Sequence, residues 1–391
     1  MIQNQEVFIE IGSLHYSKHK KKASGDVQLT RKLEQGRVVS ILCDGLGSGV
    51  EANVLASFTA SMGLEYMASD LKIKRAAEII MDALPLCPSR KISYSTFSIA
   101  DVSLAGEMRI IGHGNPPFLF FRGAQAIERE QTELLRPRWK NRSLHYARFG
   151  VEVGDRLIMM SDGVTQSGMG SDSWPMGFGI ERVNIIVEEA VRKNREISAD
   201  ELAEIICNVA LANDGNRAGD DISCTVIYMR NPRRMRVLTG PPFDPKRDQE
   251  YASLIKNFSG KCVLCGGTTS TIVERELGLE AVMDFSYMDP VVPAVSHMKG
   301  VDLITEGCIT LSNLAGLLEK GERGGRKNGA TMLRDLMLSC DIIDFYVGTR
   351  VNQSHQDPAL PIELDIRRNV IKKIASLLET KYLKETTVRY Y

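Results

Sequence analysis

Up to Arg230 the apolar positions fall into short strand-length runs, interrupted by two longer helical stretches. Strand patterns lie near Val7–His15, Arg37–Asp44, Thr96–Leu104, Met108–Gly112, Phe118–Phe121, Arg156–Ser161 and Ser223–Met229. Helical patterns fill Val50–Leu84 and Glu181–Asn213. Inside the second, Ser198-Ala-Asp-Glu201 is a capping-box signature, in which each end residue satisfies a free backbone N–H. Leu202, Ile205, Ile206 and Val209 then recur at i, i+3, i+4 and i+7, one stripe that packs on a sheet. Strands grouped between two helical batches predict two antiparallel sheets sandwiched by helices, an α+β fold.

The pattern changes after Arg230. The stretch RNPRRMRVLTGPPFDPKRD is rich in Pro and Arg, shows little periodicity, and reads as a linker, placed at 233–243. Beyond it, strand and helix patterns alternate: Lys261–Cys265 then Thr268–Leu277, Val301–Thr305 then Thr310–Lys320, Asp341–Val347 then Ile366–Leu383. That repetition predicts a small parallel α/β sheet. The expected organisation is a first domain over 1–232 and a second over 244–391.

Length agrees, since 391 residues exceed one ordinary core at roughly 100–200 residues per domain. Lys and Arg total 49, as do Asp and Glu, so charge offers no argument for nucleic acid or an anionic membrane. There is no apolar run of about 18 residues, and the start MIQNQEVFIEIG lacks a charged segment followed by an apolar one. A cytoplasmic protein is expected. Eight scattered cysteines fit, with Cys43, Cys207 and Cys224 inside apolar patterns as buried reduced thiols. Cys262 and Cys265 form a CxxC without a second pair, and in a strand they point to opposite faces, so they read as structural.

Candidate chemistry lies in acidic residues beside three strand patterns: Asp44 in VVSILCDGLGSG, Asp162 in DRLIMMSDGV and Asp220 in AGDDISCTVIYM. Carboxylates at strand ends can converge on one edge of a sheet. Oxygen-only ligands suit Mg²⁺ or Mn²⁺ rather than zinc. Three carboxylates facing two divalent cations leave a net positive site that attracts a phosphate dianion. The group therefore reads as a metal-dependent phosphatase site. Gly45, Gly47 and Gly49 let the chain turn sharply behind Asp44. Asp155, at the start of its strand, reads as a turn residue.

From about Gly12 to Arg230, the order of these segments resembles the PPM superfamily of serine/threonine phosphatases, in its bacterial sporulation-stage-II-E branch. The matching pieces are ASGDVQL (Ala23–Leu29), the Asp-Gly-x-Gly-Ser-Gly turn at Asp44–Gly49, and Thr96–Phe121 with its Gly-x-Pro-Pro-like turn. They continue with Gly154-Asp155-Arg156 leading into Ser161-Asp162-Gly163, then Asp220-Asp221-Ile222-Ser223. The resemblance implies a four-layer α-β-β-α sandwich that hydrolyses phosphoserine or phosphothreonine in a phosphoprotein, using water activated by two Mn²⁺ or Mg²⁺ ions. It implies that Asp44 bridges both metals, that the Gly45 carbonyl binds one, and that Asp162 and Asp220 hold the second. Asp221, where the superfamily often has Asn, becomes a weaker ligand, and Asp26 orients a water at the metals. The implied partner is a bacterial signalling phosphoprotein. One departure lies upstream, where eukaryotic members use an arginine to hold phosphate. No arginine aligns there, and the run Lys18–Lys22 is either a solvated loop or a guide for phosphopeptides. His15 and His113 read as structural. A non-catalytic PPM-fold sensor or phosphoprotein-binding regulator is the alternative, and the complete carboxylate set favours the enzyme.

In the second half, Cys262–Gly278 runs from a strand through Gly266, Gly267, Thr268, Thr269 and Ser270 into a helix. Free N–H groups at such a start favour an anion. Thr305-Glu306-Gly307 and Gly348-Thr349-Arg350 also end strands, on the edge where open α/β sheets bind ligands. These residues, with Arg350 and the loop cations Arg323, Arg326 and Lys327, form a candidate site for an anionic small-molecule effector of the phosphatase. A ligand-free helix cap is the competing reading, and a third makes this half a separate enzyme using His355.

Overall fold

A computed structural model describes residues 7–85, 93–140, 142–287, 289–322, 324–350 and 360–391, with 360–365 as backbone only. Arg323 and His355 lie outside the described residues. The chain divides into two compact units, Met1–Asn231 and Pro232–Tyr391. No helix among the described residues is long and apolar enough to cross a membrane.

The first unit is α+β, with two antiparallel sheets. Its strands are β1 (Phe8–Tyr16), β2 (Asp26–Lys32), β3 (Val38–Asp44), β4 (Phe97–Ser103), β5 (Glu107–His113), β6 (Leu119–Arg122), β7 (Gln125–Ala126), β8 (Thr132–Leu135), β9 (Ser143–Gly150), β10 (Asp155–Met160) and β11 (Ile222–Arg230). Five form a sheet in the order β1-β11-β10-β6-β7, and six form another in the order β2-β3-β4-β5-β9-β8. Helices α1 (Val50–Ala68), α2 (Ile73–Ala83), α3 (Asp162–Thr165), α4 (Ile180–Lys193) and α5 (Ala199–Asn213) complete the unit.

The pleat of β3 shows how the sheets find their partners. Val38 and Leu42 pack with Leu157, Met159, Ile227 and Met229 of the five-stranded sheet. The alternate residues Val39, Ile41 and Cys43 pack with Ala56, Ala60 and Ile80 of α1 and α2. Strand β11 divides likewise, since Cys224 and Val226 meet Leu202 and Ile206 of α5 while Ile227 faces the other sheet. Both strands are buried on two faces, which explains their near-continuous apolar sequence. The capping box forms as expected, with Ser198 Oγ accepting from Glu201 N at 3.2 Å and Glu201 Oε2 accepting from Ser198 N at 3.0 Å. Strands β8 and β9 escape a reading based on periodicity. Asp155 closes the turn as expected, its Oδ2 accepting from Glu152 N at 2.9 Å, and it is in addition wholly buried and takes a bidentate pair from Arg122 at 2.9 and 2.8 Å.

The second unit contains β12 (Arg234–Thr239), β13 (Lys261–Cys265), β14 (Val282–Asp284), β15 (Val295–Met298), β16 (Val301–Thr305), β17 (Ile342–Val347) and β18 (Glu385–Tyr390). Its helices are α6 (Asp248–Ser253), α7 (Gly267–Leu277), α8 (Cys308–Lys320), α9 (Gly329–Ser339) and α10 (Leu360–Thr380). The sheet order is β14-β15-β16-β13-β12-β17-β18, parallel from β16 to β18 with an antiparallel edge at β14 and β15. The segment read as a linker is therefore corrected, because β12 occupies it and pairs with both β13 and β17. Its arginines disguised it. Val237 packs toward α8, α9 and α10, whereas Leu238 packs toward α6 and α7. Cys265 and Cys262 divide between the same two faces, both as buried free thiols.

Strand β12 lies inside its sheet between β13 and β17, so its loss should remove the unit's core. A fragment starting at residue 244 is expected to show no cooperative melting by circular dichroism, while 232–391 melts cooperatively. In the full chain, Leu238→Ala should cost about 2–5 kcal/mol in urea unfolding.

Candidate functional site

Antiparallel pairing gathers the first unit's aspartates. Asp26 opens β2 and Asp44 closes β3, and register sets them directly opposite each other. Strand β10 ends next to Asp162, and β11 begins just after Asp221, with Met160 opposite Cys224. Two strand pairs from different sheets therefore bring their acidic ends to one edge. Gln28 ties the pairs together by donating to Cys224 O at 2.9 Å.

The edge is assembled by close backbone approaches. A Cβ on Gly45 would lie 2.2 Å from Ala52 O of α1, and one on Gly163 would lie 2.1 Å from Asp221 O. Any side chain at either position would push an element away from the site. Asp221 is held by two backbone donors, Lys18 N and Gly25 N, each at 2.9 Å. It thereby pins the loop before β2 to the start of β11.

The carboxylates are crowded. Burial, followed by Asp26 and then Asp162, Asp220 and Asp221, raises the Asp44 pKa to about 9. Burial raises Asp26 to about 7, with Asp221 and Asp162 adding to it and the nearby hydroxyls of Ser223 and Ser161 opposing it. Neither oxygen of Asp26 has a hydrogen-bond partner, so those hydroxyls stand near without proper geometry. Asp162 is raised by burial and then by Asp220. A buried carboxylate without donors is costly unless a cation joins it. The residues thus fit a divalent ion by donor chemistry, being all oxygen. No group of three or more His, Cys, Asp or Glu among the described residues is close enough to hold a metal as it stands. Asp220 Oδ1 instead lies 3.4 Å from Lys18 Nζ, and Asp162 Oδ2 accepts from Gln166 at 3.0 Å.

Lys18 is the residue that sequence reasoning missed. It begins the basic run Lys18–Lys22, yet it reaches the acidic edge while Lys20, Lys21 and Lys22 are exposed. Its adjacency to the end of β1 was the available signal. His113 is structural, its Nδ1 on Ser143 O at 2.9 Å, its Nε2 on Ser93 Oγ at 3.0 Å, and its pKa lowered by burial.

In the second unit, Gly266 is the N-cap of α7, Gly267 and Thr268 are exposed, and Thr269 and Ser270 are buried. Arg350 follows β17, its guanidinium 4.0 Å from Asp248 and its backbone N bonded to Pro241 O at 3.1 Å. Lys327 lies over the Tyr287 ring at 5.0 Å.

The family model described as Stage II sporulation protein E (SpoIIE) matches residues 34–230. The stage II sporulation protein E of Bacillus subtilis (strain 168) is 20% identical over 220 residues, covering 56% of this chain and 25% of that protein. Its counterpart in Priestia megaterium is 22% identical over 213 residues, covering 51% of this chain and 36% of that protein. The chain thus matches only about a quarter to a third of those relatives' length. A solved structure of the PP2C phosphatase domain and a fragment of the regulatory domain of SpoIIE from Bacillus subtilis superposes with TM-score 0.47 at 20% identity, covering 57% of this chain and 64% of that one. Asp44, Asp162, Asp220 and Asp221 all fall inside the matched segment, which spans half the sequence, and the chain belongs to the stage II sporulation protein E family.

Proposed function

We propose that the first unit is a metal-dependent phosphoserine/phosphothreonine protein phosphatase acting on a bacterial signalling phosphoprotein. The observation that carries this reading is the opposed pair Asp26 and Asp44 in a carboxylate cluster, with Asp26 buried and neither of its oxygens given a donor. Family membership supports it. So does the layering of α1 and α2, two facing sheets, and α4 and α5, which fits a four-layer α-β-β-α sandwich.

Two Mn²⁺ or Mg²⁺ ions, when bound, would supply charge neutralisation at the phosphoryl oxygens and an activated water. Asp44 and the Gly45 carbonyl would hold them from the buried side, with Asp162 and Asp220 closing the open side. Asp26 supports Asp44 from across the strand pair. Asp221, already engaged by two N–H groups, positions the Lys18 loop more than it ligates. Lys18, once released from Asp220, is the cation available to a phosphate oxygen. The second unit is proposed to regulate this activity.

Asp44→Ala and Asp220→Ala are each expected to lower Mn²⁺-dependent hydrolysis of p-nitrophenyl phosphate more than about 100-fold, with unchanged circular dichroism. Activity retained within about tenfold, roughly 1.4 kcal/mol of barrier, would refute the ligand assignment. Lys18→Ala should impair small and peptide substrates alike. Neutralising Lys20, Lys21 and Lys22 should raise KM only for an acidic phosphopeptide, and the difference should shrink with salt.

The raised carboxyl groups also fix a pH dependence. Folded Asp26 and Asp44 bind protons more tightly than they do unfolded, where a value of 3.8 applies. Their contribution to metal-free stability is full below that value, and it is lost as pH rises through about 7 and about 9. Urea unfolding in EDTA should show this decline between pH 5 and 9, and Asp26→Asn should flatten it. Calorimetry in buffers of different ionisation enthalpy should detect proton release on Mn²⁺ binding at neutral pH.

A further inference from the structure

The carboxyl edge of the second unit's sheet carries two matched turns. Strand β13 passes through Gly266 into α7, and β16 passes through Glu306 and Gly307 into α8. Each helix has glycine at its N-cap without a side-chain capping bond, and each has threonine at its third position, Thr269 or Thr310. Both threonines are wholly buried, and neither hydroxyl has a hydrogen-bond partner. Thr239, which ends the neighbouring strand β12, is a third buried threonine with an unpartnered hydroxyl. Leaving such a group buried and unpaired is costly, so three at one edge point to an absent partner.

The two turns are in contact. Gly266 N donates to Thr305 O at 2.9 Å, and a Cβ on Gly307 would lie 3.6 Å from Gly266 Cα. Gly266 has a φ of 119°, open to glycine and strained for other residues. Thr269 Oγ1 lies 3.5 Å from where a Cβ on Gly266 would be, so its hydroxyl faces the turn. The first intrahelical bond of α7 runs from Ser270 N to Gly266 O at 3.1 Å. The N–H groups of Gly267, Thr268 and Thr269 precede it and point out of the helix start. Nothing lies within 4 Å of a Cβ on Gly267, and Gly267 and Thr268 are exposed, so the helix start is open to solvent there, with Thr269 buried behind it. At α8 a carboxylate of the chain already sits in the equivalent place, Glu306 Oε2 accepting from Ile309 N at 3.2 Å.

We propose that this edge binds a ribose phosphate unit. The phosphate sits on the N–H groups of Gly267, Thr268 and Thr269 and on the Thr269 hydroxyl, where the helix dipole favours an anion. Glu306, one turn away, repels a second anion and accepts from a sugar hydroxyl, as acidic residues do for ribose in open α/β sheets. The order β16-β13-β12-β17-β18 starts from a central strand and reverses between β12 and β17, so these turns lie at the carboxyl ends of the strands, one strand from the switch point at which open α/β sheets bind ligands. Arg350 is not required. The site stands independently of the phosphatase reading.

The test is hydrogen–deuterium exchange over residues 262–277 of the full chain in EDTA, with ribose 5-phosphate, AMP, inorganic phosphate or ribose at millimolar concentration. Ribose 5-phosphate and AMP are expected to slow exchange at Gly267–Thr269, phosphate to do so more weakly, and ribose not at all. Equal protection by both ribose phosphates assigns the shared unit, and stronger protection by AMP assigns a nucleotide. Thr269→Val should weaken binding about tenfold, close to 1.4 kcal/mol. Gly267→Asp, which brings a carboxylate to the same N–H groups without a clash, should abolish it. Glu306→Gln should erase the preference for ribose 5-phosphate over phosphate. Absence of protection by every probe, phosphate binding as well as the ribose phosphates, or unchanged binding in folded Gly267→Asp and Thr269→Val would each overturn the proposal.

Discussion

Mutual repulsion among buried carboxylates is the constraint around which the first unit is organised. Asp26 and Asp44 face each other across one strand pair, while Asp162, Asp220 and Asp221 come from another. Desolvation alone disfavours charge at such positions, and each neighbour adds to the cost. The arrangement survives because the apolar clusters on both faces of both sheets hold the strand ends where they are. Packing thus stabilises a local electrostatic conflict. A polyvalent cation is the species that would resolve it.

The same logic explains the glycines and Asp221. Gly45 against α1 and Gly163 against Asp221 remove the side-chain volume that would hold the sheets' edges apart. Asp221 spends its oxygens on two backbone donors and so fixes the loop that carries Lys18. Lys18 then reaches Asp220 and offsets part of the repulsion. Each of these contacts matters because it shapes one small acidic edge.

The second unit stores its unsatisfied polarity differently. Its sheet is covered by helices on both faces, with an apolar cluster on each. Unpartnered threonine hydroxyls remain at the strand ends and helix starts, where the backbone also presents unused donors. Neutral donors at a glycine-lined edge suit an anion, whereas clustered carboxylates suit a cation. The two proposed sites are therefore of opposite character.

Much was legible in the sequence. Helix stripes, the Ser198 capping box and the acidic strand ends are local patterns, written within a few residues of one another. The order of those segments sufficed for the family. The strand β12 was not legible, because Arg234 and Arg236 interrupt the apolar pattern of a strand whose burial comes from both sheet neighbours. The ion pair of Asp155 was likewise not legible, since its partner Arg122 lies on another strand. The sequence by itself determined which residues could form strands and which carboxylates stood at their ends. Only the tertiary structure decided that Asp26 opposes Asp44, that Asp221 captures backbone 203 and 196 residues away, and that Lys18 reaches the acidic edge. Those outcomes depend on strand register and on two sheets closing over one core, and neither leaves a trace in local periodicity.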